Sequence, residues 1–96
     1  MITHSVFLKL KHQAGSEQEK LFLAEAALLA HIPKVNNFRV VREFSPKNNY
    51  DWGLIMEFDT CEDYRNYNEH PKHAAFVEEF WIPNVSEFQE IDYELC

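Results

Sequence analysis

The sequence has 96 residues, of which 46% are hydrophobic and 26% are charged, with only two glycines and four prolines. This composition predicts one folded domain over residues 1–96 and argues against a disordered or low-complexity chain. The formal net charge of −7 disfavours nucleic acid and anionic membranes as partners, which leaves a neutral or cationic small molecule or another protein.

The first half of the chain predicts a strand, a helix and two further strands. Polar and apolar residues alternate over 2–11, which is the period of a strand. Ser16 and Glu19 form a capping box at the start of a helix. Alternation returns over 36–45 and 50–59, with a turn between the two segments. The expected apolar stripe of the helix consists of Leu21, Ala24, Leu28 and Ile32, supported by Phe22 and Leu29.

The second half predicts two short helices and a last strand. Pro71 fits a first helical turn but not a helix interior, so the helices are expected over 60–69 and 71–81, ending before Pro83. In the strand over 86–95, one face carries Ile91, Tyr93 and Leu95, and the solvated face carries Glu87, Glu90, Asp92 and Glu94. The order β-α-β-β-α-β predicts an α+β ferredoxin-like sandwich. Its antiparallel four-stranded sheet would be covered by helices on one face.

The other face of that sheet is predicted to be an interface. Each strand places one large apolar residue there among polar neighbours: Phe7, Val41, Ile55 and Phe88. An apolar centre with a polar rim is typical of protein interfaces, so we expect a homodimer that packs sheet to sheet. The alternative is four unrelated exposed apolar residues, which soluble proteins tolerate.

Four residues are candidates for chemistry. His4 lies on the apolar face of the first strand, while Tyr67 and His73 flank the helix break at His70. If that break turns the chain over the sheet, an imidazole suited to proton transfer meets a phenol that can stabilise an oxyanion. The alternatives are a hydrogen-bonded core role for His4, a helix-cap role for His70, and simple cavity lining for Tyr67 and His73.

Metal and cofactor sites are not expected. His70 and His73 with His4 could supply zinc ligands, but Pro71 changes the local geometry and no cysteine accompanies them. The sequence contains no glycine-rich phosphate loop and no dinucleotide fingerprint. We therefore predict that the protein has no histidine zinc site and works without a cofactor.

Location is predicted from what the sequence lacks. It shows no apolar run long enough to cross a membrane and no secretory signal pattern. Cys61 and Cys96 do not amount to a disulfide framework. A reducing cytoplasm is the simplest expectation.

Several segments together resemble one known family, the stress-responsive α/β-barrel domain (Dabb) proteins, over nearly the whole chain. The matching segments are 4–9, Ile32-Pro33 with Val35, 50–54, Phe58-Asp59 and the distinctive 67–73, followed by Phe76 and Val77. The resemblance implies a dimeric α/β barrel. By similarity to a polyketide cyclase of this family, His73 would be the general base, Tyr67 the oxyanion donor and His4 a cavity residue.

The functional hypothesis is a small-molecule-binding dimer that is a cofactor-free lyase or cyclase acting on a carbonyl compound. Tyr67 and His73 would be catalytic, and the substrate would contact His4, His70, Val6, Leu8, Leu28 and Trp81. The alternatives are a non-catalytic, stress-related binder of hydrophobic ligands and, by analogy of fold alone, a cofactor-free monooxygenase-like protein.

Overall fold

A computed structural model describes residues 1–95, and Cys96 lies outside the described residues. The elements are strand β1 (Ile2–Leu10), helix α1 (Glu17–Ala27) with a 3-10 turn (Leu28–His31), strands β2 (Asn36–Arg42) and β3 (Trp52–Phe58), helices α2 (Cys61–Glu69) and α3 (Pro71–Phe76), a π-helical segment (Val77–Trp81), the short helix α4 (Ile82–Asn84) and strand β4 (Val85–Glu94). The strands form one antiparallel sheet in the order β2-β3-β1-β4. The predicted ferredoxin-like α+β arrangement is thereby confirmed.

Helix α1 begins where the capping box predicts but buries a different face. The Ser16 hydroxyl accepts the Glu19 backbone N–H at 3.2 Å, and the Glu19 carboxylate accepts the Gly15 N–H at 2.8 Å. The other carboxylate oxygen accepts the Trp52 indole N–H at 3.0 Å, which turns Glu19 inward. The buried stripe is therefore Glu19, Phe22, Ala26 and Leu29. The stripe predicted through Leu21 and Leu28 is wrong, because both of these side chains are exposed.

The helical region after the break is longer than predicted. Pro71 occupies the first turn of α3, as expected. The chain then continues through the π-helical segment into α4, so the expectation that helix ends before Pro83 is wrong. Pro83 lies within the three-residue α4, and the Asn84 side-chain amide donates to the Phe80 carbonyl at 2.7 Å. Pro83 occupies the first turn of α4, where a proline is tolerated because the N–H groups of a first turn have no partner within the helix.

Strand β4 faces the opposite way from the prediction. Across the β1–β4 ladder, Leu8 pairs with Phe88, Val6 with Glu90 and His4 with Asp92. Directly paired residues share a face, so these three β4 side chains turn towards the helices. Phe88 packs edge-on against Trp81, with ring centroids 5.4 Å apart. The placement of Phe88 on the uncovered face with Phe7 is therefore wrong.

The uncovered face nevertheless carries an apolar cluster. Pairing places Phe7 opposite Gly53 and Gln89, and it aligns Ser5 with both Ile55 and Ile91. Val41 pairs with Gly53 and lies on the same face. The predicted trio Phe7, Val41 and Ile55 thus shares this face, joined by Ile91 and Tyr93 rather than by Phe88. Among the helices of residues 1–95, none has the length and apolar character that a membrane span requires.

Candidate functional site

A cavity of about 470 Å³ lies between the sheet and the helices α2 and α3. Its floor is apolar because β1 and β3 direct Val6, Leu54 and Met56 towards the helices. Its polar and aromatic lining consists of His4, Tyr64, Tyr67, Asn68, His73, Phe76, Trp81, Phe88 and Glu90. Such a mixture of an apolar body and a few convergent polar groups is typical of small-molecule sites.

Five of the predicted site residues line this cavity: His4, Val6, Tyr67, His73 and Trp81. Three others do not, and their placement corrects the prediction. Leu8 is completely buried in the solid core. Leu28 is 54% exposed and lines a separate groove with Phe80, because α1 buries its other face. The His70 ring accepts the Lys72 backbone N–H at 3.0 Å and caps α3, so His70 has the helix-cap role that was the alternative to substrate binding.

Tyr67 and His73 meet across the helix break. Tyr67 lies near the end of α2 and His73 lies in α3, and their ring centroids are 4.7 Å apart. The Tyr67 side chain is only 2% exposed, and within residues 1–95 its hydroxyl has no hydrogen-bond partner, so it opens into the cavity. Burial, and secondarily the charge of Glu90, raise the pKa of the Tyr67 phenol above its usual value of 10.0. The phenol therefore stays protonated and available as a donor.

His73 has the opposite electrostatic character. Its Nδ1 lies 3.1 Å from the Asn68 carbonyl oxygen. A carbonyl can only accept, so Nδ1 carries the proton and the neutral ring keeps its lone pair on Nε2. Burial lowers the pKa of His73, although the hydrogen bond to Asn68 partly opposes this effect. The imidazole is thus held neutral near pH 7, as a general base must be.

His4 is fixed by a network that the sequence did not reveal. The ring is 4% exposed, and its Nδ1 donates to Asp92 Oδ1 at 2.5 Å. The Tyr64 hydroxyl donates to the other Asp92 oxygen at 2.7 Å. Because the carboxylate holds the proton of a neutral His4 on Nδ1, the ring orientation and tautomer are set. The centroids of His4 and Tyr67 lie 6.1 Å apart, so His4 forms the wall behind the phenol.

Tyr64, Asn68, Glu90 and Asp92 are the site residues that sequence reasoning missed. Tyr64 stands three residues before Tyr67, which is one helical turn and therefore the same face of α2. Glu90 and Asp92 alternate along β4 in the pattern of a solvated face. The pairing of β4 with the strand that carries His4 turns both carboxylates towards the helices, where Glu90 lines the cavity and Asp92 binds His4.

The possible metal ligands differ from the predicted histidines. Within the described residues, His4, Glu90 and Asp92 offer one ligand atom each, all within 4.8 Å of one another. Nδ1 of His4 already donates its proton to Asp92, and His70 is occupied in capping α3. The geometry therefore favours a hydrogen-bonded network over the predicted alternative of a histidine-based zinc site.

Comparison with known proteins identifies relatives of this fold. The stress responsive A/B barrel domain family matches residues 2–95. A Dabb family protein with a ferredoxin-like fold from Mesorhizobium loti is 44% identical, with a TM-score of 0.97 over 99% of this chain and 96% of that chain. No curated protein is similar enough in sequence to match this chain.

More distant structures share the fold alone. A hydroxynitrile lyase from Passiflora edulis is 20% identical, with a TM-score of 0.85 over 99% of this chain and 93% of that chain. A dimeric ferredoxin-like protein of unknown function from Thermobifida fusca is 21% identical, with a TM-score of 0.81 over 98% and 90% of the two chains. These similarities extend over nearly the full length of each protein.

Proposed function

This chain belongs to the stress responsive A/B barrel domain family, and from that premise we propose that its cavity binds a small carbonyl compound and catalyses a lyase or cyclase reaction without a cofactor. One observation carries the proposal. A buried, protonated phenol and a neutral imidazole face the same apolar cavity at a centroid distance of 4.7 Å. Proton transfer at neutral pH requires an acid and a base whose surroundings shift their pKa values in opposite directions.

The proposed mechanism assigns one role to each group. Nε2 of His73 removes a proton from the carbon next to the substrate carbonyl, and the C–H electron pair forms a carbon–carbon double bond. The carbonyl π pair moves onto oxygen, where the Tyr67 O–H donates a hydrogen bond to the enolate. The enolate then attacks a second carbonyl in the same molecule or expels a leaving group from the β carbon. The proton on His73 returns to the product, which closes the cycle.

His4 has a supporting role in this proposal. Its ring is buried at 6.1 Å from the Tyr67 ring and is held by Asp92, so it shapes the cavity around the reacting oxygen. The Passiflora edulis protein that shares this fold over nearly its whole length is a hydroxynitrile lyase, which is consistent with the proposed reaction class.

The proposal includes a homodimer formed through the uncovered face of the sheet. Ile91 and Tyr93 remain 50% and 52% exposed there, beside the half-buried Phe7, Val41 and Ile55. Phe44, which follows β2, is 93% exposed and borders the same face. A second copy of the chain would cover this apolar area, and the Thermobifida fusca protein of the same fold is described as dimeric.

The catalytic proposal is tested by screening small carbonyl compounds for turnover and binding with three variants. His73→Ala and Tyr67→Phe are each expected to lower kcat by about 10²–10⁴-fold, while ligand affinity changes only a few-fold. His31→Ala, which removes an exposed histidine outside this cavity, is the matched control and should leave kcat unchanged. If ligands bind the wild-type cavity and no compound is ever turned over, the catalytic proposal fails and a non-catalytic binder remains.

A further inference from the structure

Glu90 gives the cavity a charge that the proposed mechanism does not use. It is the single carboxylate side chain among the lining residues, and neither lysine nor arginine lines the cavity within residues 1–95. Its side chain is 49% exposed, so the carboxylate stands at the opening of the cavity rather than in its floor. A ligand that enters therefore passes one fixed negative charge.

The hydrogen bonds around Glu90 leave that charge largely uncompensated. The Tyr64 oxygen lies 3.4 Å from Glu90, but the Tyr64 proton is directed to Asp92 at 2.7 Å. The His4 Nδ1 is 3.6 Å from Glu90 and 2.5 Å from Asp92, so it also donates its proton to Asp92. Asp92 takes the short bonds from both donors, and Glu90 remains free to accept a bond from a ligand.

Two aromatic side chains, Phe88 and Trp81, line the cavity together with Glu90. Phe88 lies two residues before Glu90 on the same face of β4, which corresponds to a separation of about 7 Å along the strand. The Phe88 and Trp81 rings meet edge to face at 5.4 Å and form one wall. Aromatic faces next to a carboxylate form a favourable environment for a cation, because the ring quadrupole adds to the charge attraction.

We propose that the substrate of this cavity carries, besides its carbonyl group, a protonated amine that pairs with Glu90 beside Trp81 and Phe88. The inference rests on the proposed function, because it assumes that the carbonyl end is held at Tyr67. The two ends of the ligand then occupy two different regions of the cavity: the carbonyl lies in the buried part and the ammonium at the opening. A neutral ligand would leave Glu90 facing apolar carbon, which lowers affinity.

The test uses three acetophenones whose para substituents are cationic, neutral and anionic: 4-(aminomethyl)acetophenone, 4-methylacetophenone and 4-acetylbenzoate. Affinity is measured by NMR titration of the wild-type protein at pH 7, with the amides of Asn68 and His73 as reporters. We expect the cationic probe to bind about ten-fold more tightly than the neutral probe, with the anionic probe weakest. Raising the salt concentration should shrink the difference, since Glu90 is half exposed.

Two variants complete the experiment. Glu90→Gln should bring the cationic probe to the affinity of the neutral one. Glu87→Gln removes the same charge from the opposite face of β4, where Glu87 pairs with Lys9, and should keep the ten-fold preference. Because the wild-type comparison at two salt concentrations needs no variant, the inference stays testable even if Glu90→Gln folds poorly.

Each outcome separates this inference from the proposed function. Equal affinity of the cationic and neutral probes for the wild type, or a preference that survives Glu90→Gln, would overturn the inference while leaving the carbonyl site intact. If none of the probes shifts the Asn68 and His73 amides, both the carbonyl site and the cation site are refuted.

Discussion

The two faces of the sheet follow different rules of polarity. On the covered face, the interior strands β1 and β3 carry buried apolar residues such as Leu8, Leu54 and Phe58, as expected of a core. On the edge strand β4, the covered face carries Glu90 and Asp92, whereas the open face carries Ile91 and Tyr93. The polarity of each face thus depends on what it contacts: the covered face of β4 borders a cavity with several polar groups, and the open face is the surface of the proposed dimer.

The difference has a physical origin in the cavity. Beneath α1 the side chains of Phe22 and Ala26 pack into the buried core, whereas between α2, α3 and β4 about 470 Å³ remains open. Glu90 lines this cavity and keeps access to water, while Asp92 accepts hydrogen bonds from His4 and Tyr64, so both carboxylates are tolerated at little cost. The apolar residues of β4 are then displaced to the face that another copy of the chain would cover.

The largest expected effect comes from placing a charge in the centre of the open face. Ile55→Lys should raise the dissociation constant of the dimer at least about 100-fold, because a buried unpaired ammonium costs several kcal/mol. Light scattering at micromolar concentration should then show a monomer. Leu21→Lys, a change at an exposed leucine on the helical side, is the control and should leave the dimer intact. A wild-type-like dimer of Ile55→Lys would refute the assignment of this face.

A smaller effect is expected from adding a methyl group at Gly53. A Cβ atom at this position would lie 2.5 Å from Phe7 Cε1 and 2.9 Å from Val41 Cγ2. Gly53→Ala must therefore displace both side chains of the open face and should lower the free energy of unfolding by about 1–3 kcal/mol. Urea denaturation measures this change, and light scattering tests whether the dimer weakens with it.

Gly15→Ala provides the matched comparison. No atom lies within 4 Å of a Cβ at Gly15, but its φ of +79° strains any other residue. This variant should lose stability through backbone strain alone and keep the dimer. Equal weakening of the dimer by both alanines would show that general destabilisation, rather than the packing of Phe7 and Val41, is responsible.

Local patterns predicted most of the fold because the energies involved are local. The capping box at Ser16 and the break at Pro71 depend on neighbouring residues, and both are found in the structure. The failures concern choices that only tertiary contacts decide. Helix α1 has two leucine-containing faces, and the bond from Trp52 to Glu19 selects one of them. Strand β4 has two plausible faces, and its ladder with β1 selects the one that carries Phe88.

The candidate site shows the same limit. The sequence predicted that Tyr67 and His73 converge, since a proline break lies between them, and the structure brings their rings to 4.7 Å. It did not predict Glu90 or Asp92, because an edge strand with alternating acidic residues has the pattern of a solvated surface. Only the register that places Asp92 opposite His4 distinguishes the two cases.

The smallest expected effect is on the pH dependence of stability. It should depend on His73 at the cavity and not on residues of the open face. Burial lowers the pKa of His73 below its ordinary value of 6.5, so protonation costs more in the folded chain than in the unfolded one. Between that lowered pKa and 6.5 the unfolded chain binds more protons, so stability is fully present above pH 6.5 and falls as the pH drops through this window.

Between pH 7.5 and pH 5 the free energy of unfolding, measured by urea denaturation, should therefore fall more for the wild type than for His73→Ala. In the wild type, kcat/KM should stay constant down to a pH below 6.5 and decrease only at lower pH. Gly53→Ala, a change on the open face, should retain the wild-type pH dependence. Equal losses in wild type and His73→Ala would place the titrating group elsewhere and remove His73 as the buried base of the cavity.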